Sequence, residues 1–224
     1  MYSVKMSKVF QPYRCSDIVR LGKAHDGGYL VNVEDVKKTK RLITFGVGSD
    51  VSFEQDFTKL NPCVVDAYDA TVDDKHDFFD DIVRIHHPIN ISNYNSWNSR
   101  SITRILVEED SFIKCDIEGD EYKLFDDLIN ISHKLSGLVI EVHDINNQQN
   151  YDNVINFISK IDLKLIHVHV NNYFYYIVDE EKKPDILELS FSSSKNLRYD
   201  TSIELPHKLD MNNNPQGEEF RIYY

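Results

Sequence analysis

No stretch of this chain approaches the eighteen or so consecutive apolar residues that a membrane-spanning helix needs, so membrane insertion is not expected. The opening Met1-Tyr2-Ser3-Val4-Lys5-Met6 is not followed by the apolar region of a signal peptide. The expectation is a soluble intracellular protein, cytoplasmic in its own cell or in a host's. Cysteine is sparse. Cys15, Cys63 and Cys115 are odd in number and lack CxxC spacing, which excludes a disulfide framework and reads as reduced, buried thiols. Basic residues are outnumbered, 25 Lys and Arg against 37 Asp and Glu, for a formal charge of -12. Phosphate backbones need clustered cations, so no nucleic-acid partner is expected. GxxxxGK[ST] is absent, which argues against a P-loop phosphotransferase, and neither HExxH nor a cysteine knuckle offers a zinc site. There is no internal repeat.

What the chain does contain is enough apolar material, 41% hydrophobic and 12% aromatic, for one substantial core in 224 residues. A single domain over 1–224 is expected, with 1–40 as an N-terminal extension or cofactor-covering segment and 192–224 as a C-terminal extension. Apolar periodicity places strands at Arg41–Phe45, Val64–Tyr68, Ile82–Ile85, Phe112–Cys115, Leu138–Val142, Leu163–Val168 and Asp185–Phe191. Helices are expected near Gln55–Leu60, Glu121–Ile131 and Tyr151–Ile161. Asp179–Pro184 reads as a polar link. This alternation predicts an α/β fold with a mostly parallel sheet and a C-terminal reversing strand.

The most informative segment is Leu42-Ile43-Thr44-Phe45-Gly46-Val47-Gly48, followed some twenty residues later by Asp66-Ala67-Tyr68-Asp69. In a βαβ unit this arrangement sets a nucleoside over the first strand end and its ribose hydroxyls against an acid after the second. A dinucleotide fingerprint would want a third glycine near position 51, where this chain has Val51. A pyrophosphate therefore fits less well than an adenosyl ligand of lower charge. Asp69 is the expected ribose acceptor, with a plain strand-end cap as the competing reading. Asp26-Gly27-Gly28-Tyr29 is either a structural turn or a loop folded over the cofactor.

A second constellation gathers at expected C-terminal strand ends: Asp116, Glu118, Glu141, His143, Asp144, His167 and His169. Such carboxylates and imidazoles can bind Mg²⁺ or Mn²⁺, or orient and deprotonate an acceptor without a metal. His143 is the foremost base candidate, because its ordinary pKa lies near neutrality and a neighbouring carboxylate can raise its basicity. His167 and His169 can equally be core or pocket walls.

Taken in order, Asp26-Gly27-Gly28-Tyr29-Leu30, Thr44-Phe45-Gly46-Val47-Gly48, Ser52-Phe53-Glu54, Lys114-Cys115-Asp116-Ile117-Glu118-Gly119-Asp120-Glu121, Ile140-Glu141-Val142-His143 and His167-Val168-His169 resemble FkbM-type S-adenosylmethionine-dependent methyltransferases. The resemblance implies a class I methyltransferase-like Rossmann sheet with S-adenosyl-L-methionine as cofactor. It implies cofactor contacts at Asp26, Gly27, Phe45, Gly46, Val47, Gly48, Phe53, Glu54, Asp69 and Ala70. Asp116, Glu141 and His143 are the expected catalytic residues and the expected ligands of a Mg²⁺ or Mn²⁺ ion if one is used. The acceptor it implies is a hydroxyl of a sugar or glycan. The alternative is a noncatalytic carbohydrate-binding or assembly module on the same fold. Oligomerisation is compatible with the sequence.

Overall fold

The computed structural model describes residues 1–72 and 84–224. Its centre is a seven-stranded sheet of β1 (Arg41–Phe45), β2 (Val64–Tyr68), β3 (Arg84–His87), β4 (Ser111–Cys115), β5 (Leu135–Val142), β6 (Lys164–Val178) and β7 (Glu181–Ser192). In space the order is β3-β2-β1-β4-β5-β7-β6. Neighbours from β3 through β5 are parallel, and β7 runs antiparallel between β5 and β6. The α/β fold with a mostly parallel sheet and a late reversing strand is therefore what the chain adopts. Its sheet matches the class I methyltransferase-like arrangement.

The chain leaves β1 toward β2 on one side and later leaves β4 toward β5 on the other. A crevice consequently opens above the C-terminal ends of β1 and β4, the place where open α/β sheets collect ligands. Both faces of the sheet are covered, and all residues of β4 and β5 are buried, which is why these strands read as nearly continuous apolar runs. Helix α1 (Val33–Lys38) and helix α2 (Ser52–Leu60) cover one face. There Phe53 and Phe57, one helical turn apart, pack on Phe112. Helix α3 (Phe125–Ile131) and helix α4 (Gln148–Lys160) cover the other face. Phe125 and Phe157 stack at 4.3 Å between ring centroids, and Phe157 meets Phe191 edge-on at 5.7 Å. Each such buried ring contributes roughly 1.5–3 kcal/mol of transfer free energy.

The ends of the chain are built into this frame. Tyr2–Lys5 pairs in parallel with Phe220–Tyr223. Ile18–Leu21 and Tyr29–Asn32 form an antiparallel hairpin, and Asp26-Gly27-Gly28 lies in the connection between its strands. Among the described residues no helix is long and apolar enough to cross a membrane. Cys115 is buried, Cys15 and Cys63 are half-buried, and all three are free.

Several boundaries differ from the sequence expectation. The helix expected over Glu121–Ile131 begins as a tight 3₁₀ turn, Glu121–Leu124, before α3 starts. Glu121 Oε1 accepts hydrogen bonds from the backbone N–H groups of Ile117 and Gly119, and so ties its own side chain to the preceding loop. The supposed link at Asp179–Pro184 is a two-residue turn at Asp179-Glu180, both with positive φ, and Glu181–Pro184 already belong to β7. The hairpin extends because β6 continues through Tyr173–Val178, whose side chains are exposed on both faces and leave no burial alternation to read. The third expected strand, Ile82–Ile85, is found as Arg84–His87; Ile82 and Val83 lie outside the described residues.

Candidate cofactor and acceptor site

Thr44 and Phe45 end β1 buried, and the chain then turns sharply through Gly46 (φ 71). A Cβ on Gly46 would stand 1.6 Å from the Asp116 carbonyl oxygen. Only glycine lets the β1 loop approach the end of β4 this closely. Gly48 also has positive φ (58), but a Cβ there would meet open space.

The loop is pinned from the β2 side. Asp69 Oδ2 accepts from Val47 N at 2.9 Å and Gly48 N at 2.8 Å, while Oδ1 accepts from Thr71 N at 2.7 Å and Thr71 Oγ1 at 2.6 Å. Burial alone would raise the Asp69 pKa, but these hydrogen bonds outweigh it and hold the carboxyl below its ordinary range. Four donors fill the carboxylate's ordinary acceptor capacity. In this conformation Asp69 shapes the loop, and a ribose would find its lone pairs engaged. Asp66, on β2, is paired with Arg41 and His87 instead.

A cavity of about 570 Å³ opens above this loop, within the range of small-ligand sites. Tyr68, Asn90 and Ile91 line its β2 side, and Tyr29, Lys114 and Asp116 its β4 side. Of the residues expected to touch a cofactor, Asp26, Gly27, Gly46, Val47, Gly48, Phe53 and Asp69 form part of the wall. Three do not. Phe45 is fully buried in the core below the loop, and Ala70 points outside the wall and is exposed. Glu54 is buried beneath the loop, where Oε1 accepts from Thr44 Oγ1 at 2.8 Å and lies 3.7 Å from Lys114 Nζ. Its opening position on α2, one residue beyond Phe53, turns it toward the sheet.

The C-terminal ends of β4 and β5 bring Asp116 and Glu118, in the cavity wall, together with Glu141 and His143, outside it. Asp116 Oδ2 is 3.3 Å from Tyr29 Oη, and its Oδ1 is buried without a hydrogen-bond partner among the described residues. Burial pushes the Asp116 carboxyl up to about 6, with Glu118 and Glu121 adding to the shift and Lys114 and His143 opposing it. Glu141 is raised well above its ordinary value, first by burial and then by Asp116 and Glu188. Its Oε2 lies 3.4 Å from Tyr29 Oη, and its Oε1 accepts from Asn171 Nδ2 at 3.2 Å. One hydroxyl hydrogen cannot serve two acceptors. Tyr29 Oη can therefore donate to only one of Asp116 and Glu141 at a time.

His143 stands beside Asp116 and Glu118. Nδ1 is 3.0 Å from Glu121 Oε1, and Nε2 is 3.5 Å from both Glu118 Oε2 and Glu141 Oε1. Burial lowers the His143 pKa, but the Glu121 hydrogen bond and the charges of Glu121, Asp116 and Glu118 leave it raised overall. The ligand atoms of Asp116, Glu118 and His143 lie within 4.8 Å of one another. In the expected cation set, therefore, Glu118 takes the place of Glu141, which is turned inward onto Tyr29 and Asn171. His167 and His169 are buried against other partners, His167 with Asp210 and His169 with Glu188 and Glu219.

Two residues of this site had no assigned role in the sequence reading. Apart from its place in the resembling segment, Glu121 was visible as the start of a helix, although its fixed offset from Ile117 and Gly119 lets it cap their N–H groups. Lys114 was visible only as a polar residue in a short apolar strand, and it is 5% exposed. A lysine flanked by Ile113 and Cys115 is itself the signal, because a buried cation requires partners.

No family model matches the chain. No curated protein matches it either. Among solved structures, the chain is similar to the methyltransferase domain of delta-N METTL16, at 14% identity, covering 72% of this chain and 79% of that one with a TM-score of 0.40. It is also similar to the hMettl16 catalytic domain in complex with MAT2A 3'UTR hairpin 1, at 11% identity, 72% and 66% coverage and a TM-score of 0.40. The Methanococcus jannaschii fibrillarin pre-rRNA processing protein gives 14% identity, 84% and 85% coverage and a TM-score of 0.42. Two of these titles name an RNA, the 3'UTR hairpin and pre-rRNA, and none names a sugar. The expectation of a sugar or glycan hydroxyl as acceptor is withdrawn on that finding, and so is the expectation that the chain has no nucleic-acid partner.

Proposed function

We propose that this chain is an S-adenosylmethionine-dependent methyltransferase acting on an acceptor oxygen or nitrogen that carries a proton. The observation that carries the reading is the continuity of two features. A glycine loop pinned by Asp69 walls a ligand-sized cavity at the switch point of the sheet, and Asp116, also in that wall, stands beside His143. Of the segments that resemble FkbM-type methyltransferases, Asp26–Tyr29, Thr44–Gly48 and Lys114–Glu121 contribute to this same wall, which supports the cofactor over a dinucleotide.

The cofactor supplies a sulfonium-bound methyl group. When bound, it would offer that methyl carbon to the acceptor lone pair, and His143 Nε2 would take up the proton the acceptor gives up. Alignment of acceptor, carbon and sulfur is the larger contribution, because holding reactants in line can supply about 7–11 kcal/mol. A positioned base adds about 10²–10⁴-fold. His143 is the base, Glu121 holds its ring, and Asp116 orients the acceptor's donor group. A second reading is favoured by the 4.8 Å grouping of Asp116, Glu118 and His143: these three residues would hold Mg²⁺ or Mn²⁺, which lowers the pKa of an acceptor bound to it.

Calorimetry with S-adenosylmethionine, S-adenosylhomocysteine and NAD tests the cofactor. Binding of the adenosyl ligands is expected; preferential NAD binding would overturn it. Methyl transfer is then read by product mass across a panel of structured RNAs, amines and small phenols, with and without chelator. Activity that survives rigorous chelation removes the metal reading and leaves His143 as the base.

A further inference from the structure

Lys114 is a buried cation with donors to spare. Its Nζ lies 3.4 Å from the Gly46 carbonyl oxygen and 3.7 Å from Glu54 Oε1. The Tyr29 ring is farther off, its centroid at 5.9 Å. An ammonium carries three N–H donors, and among the described residues it makes one long hydrogen bond. A dedicated internal ion pair would close to about 2.7–2.9 Å. Glu54 is held back by the Thr44 hydroxyl at 2.8 Å. The spare donors belong to a residue of the cavity wall.

The rest of that wall selects the anion. Val47 N and Gly48 N, which could cradle a phosphate, are spent on Asp69. Lys23, the other lysine of the wall, is paired with Asp50 at 3.1 Å. Asp26, Asp50 and Asp116 also face the cavity and oppose a multiply charged ligand. A single cation among carboxylates complements a zwitterion, with one carboxylate for Lys114 and positive groups for the acids.

We infer that Lys114 is the residue that recognises the α-carboxylate of the cofactor's amino-acid end, while the acidic wall receives its ammonium and sulfonium. The inference rests on the cofactor reading and goes beyond it by naming the residue and the ligand group. It also accounts for the absence of a third glycine, since this site selects a carboxylate and not a pyrophosphate.

Titration calorimetry of the full chain with S-adenosylmethionine and with its decarboxylated analogue tests the inference. Wild type should bind S-adenosylmethionine about tenfold or more tightly than the analogue, the scale of one charge-assisted contact. Lys114→Met should erase most of that preference by weakening S-adenosylmethionine alone, and Lys114→Arg, which keeps the cation, should retain it. Equal wild-type affinities, or a Lys114→Met loss shared by both ligands, would overturn the assignment. Should Lys114→Met not fold, the wild-type ratio and the arginine variant still decide the matter: no preference in either refutes it. A wild-type protein that binds NAD and neither adenosyl ligand instead refutes the cofactor reading, a distinguishable result.

Discussion

His143 Nδ1 and Glu121 Oε1 lie 3.0 Å apart, and that same oxygen accepts from the backbone N–H groups of Ile117 and Gly119. A carboxylate oxygen only accepts, so the Nδ1 hydrogen points at Glu121, and in the neutral ring Nε2 carries the lone pair on the side of Glu118 and Glu141. Glu121 thus sets the tautomer and the ring orientation of His143, the proposed base, as a buried carboxylate does behind an imidazole.

Glu121→Gln should preserve the packing while withdrawing the negative charge behind the imidazole. The His143 pKa, raised by Glu121 against the effect of burial, would fall. The unprotonated base would then persist to lower pH, moving the acidic limb of the kcat/KM profile downward. The weaker base should also cut the plateau by roughly ten- to a hundredfold. A pH–rate profile of the variant checks both; an unmoved limb would remove His143 from the proton transfer.

Asp116 gives a pH dependence of the opposite kind to an ordinary salt-bridged acid. Its carboxyl is pushed up to about 6 by burial, above the unfolded value near 3.9. The folded state therefore binds the proton more tightly. Stability is greatest below the unfolded pKa and is lost as pH rises through the folded pKa. Asp116→Asn should be about 1–2 kcal/mol more stable than wild type at pH 7.5, with the difference closing by about pH 4. Methyl transfer should fall sharply in the same variant. Urea denaturation at the two pH values, paired with activity, tests this trade of stability for function.

Gly46 and Gly48 carry similar φ values but opposite surroundings. Gly46→Ala drives a methyl group into the Asp116 carbonyl and should cost more than about 3 kcal/mol, enough to separate β1 from β4 at the crevice. Gly48→Ala meets no atom within 4 Å and should cost only the left-handed backbone penalty, about 1–2 kcal/mol. Comparable destabilisation of the two in thermal unfolding would contradict the packing described here.

How far the sequence reached follows from range. The strands from Arg41 to Val142 were legible because sheets buried on both faces carry unbroken apolar runs, and the Gly46 turn was legible because close approach leaves no other residue type. The extension of β6 through Tyr173–Val178 was not, since an exposed ribbon has no burial pattern. The grouping of ligand atoms departs from the expected set at Glu141 for a different reason. Two-residue spacing puts Glu141 and His143 on one side of β5, but Tyr29 and Asn171, 112 and 30 residues away in sequence, draw the Glu141 carboxylate inward. Glu121 and Lys114 were hidden similarly, because their roles depend on partners that only the fold supplies.

Asp69 provides the sharpest test of whether the β2 acid builds the loop or serves the ribose alone. Burial would raise its pKa, yet Thr71, Gly48 and Val47 hold it low. A carboxyl with a lowered folded pKa contributes stability that is present above the unfolded value and is lost as pH falls through the folded one. The Asp69 contribution should therefore be intact at neutral pH and disappear below about pH 4. Asp69→Ala strands the Val47 and Gly48 N–H groups and should cost roughly 2–3 kcal/mol at pH 7.5 in the ligand-free protein. Thr71→Val removes one hydroxyl donor and should cost less, about 0.5–1.5 kcal/mol. A residue that served only the ribose would weaken cofactor affinity and leave the ligand-free unfolding midpoint where it was. Denaturation without ligand distinguishes the two, and an unchanged midpoint for Asp69→Ala would show that the loop keeps its shape without the carboxylate.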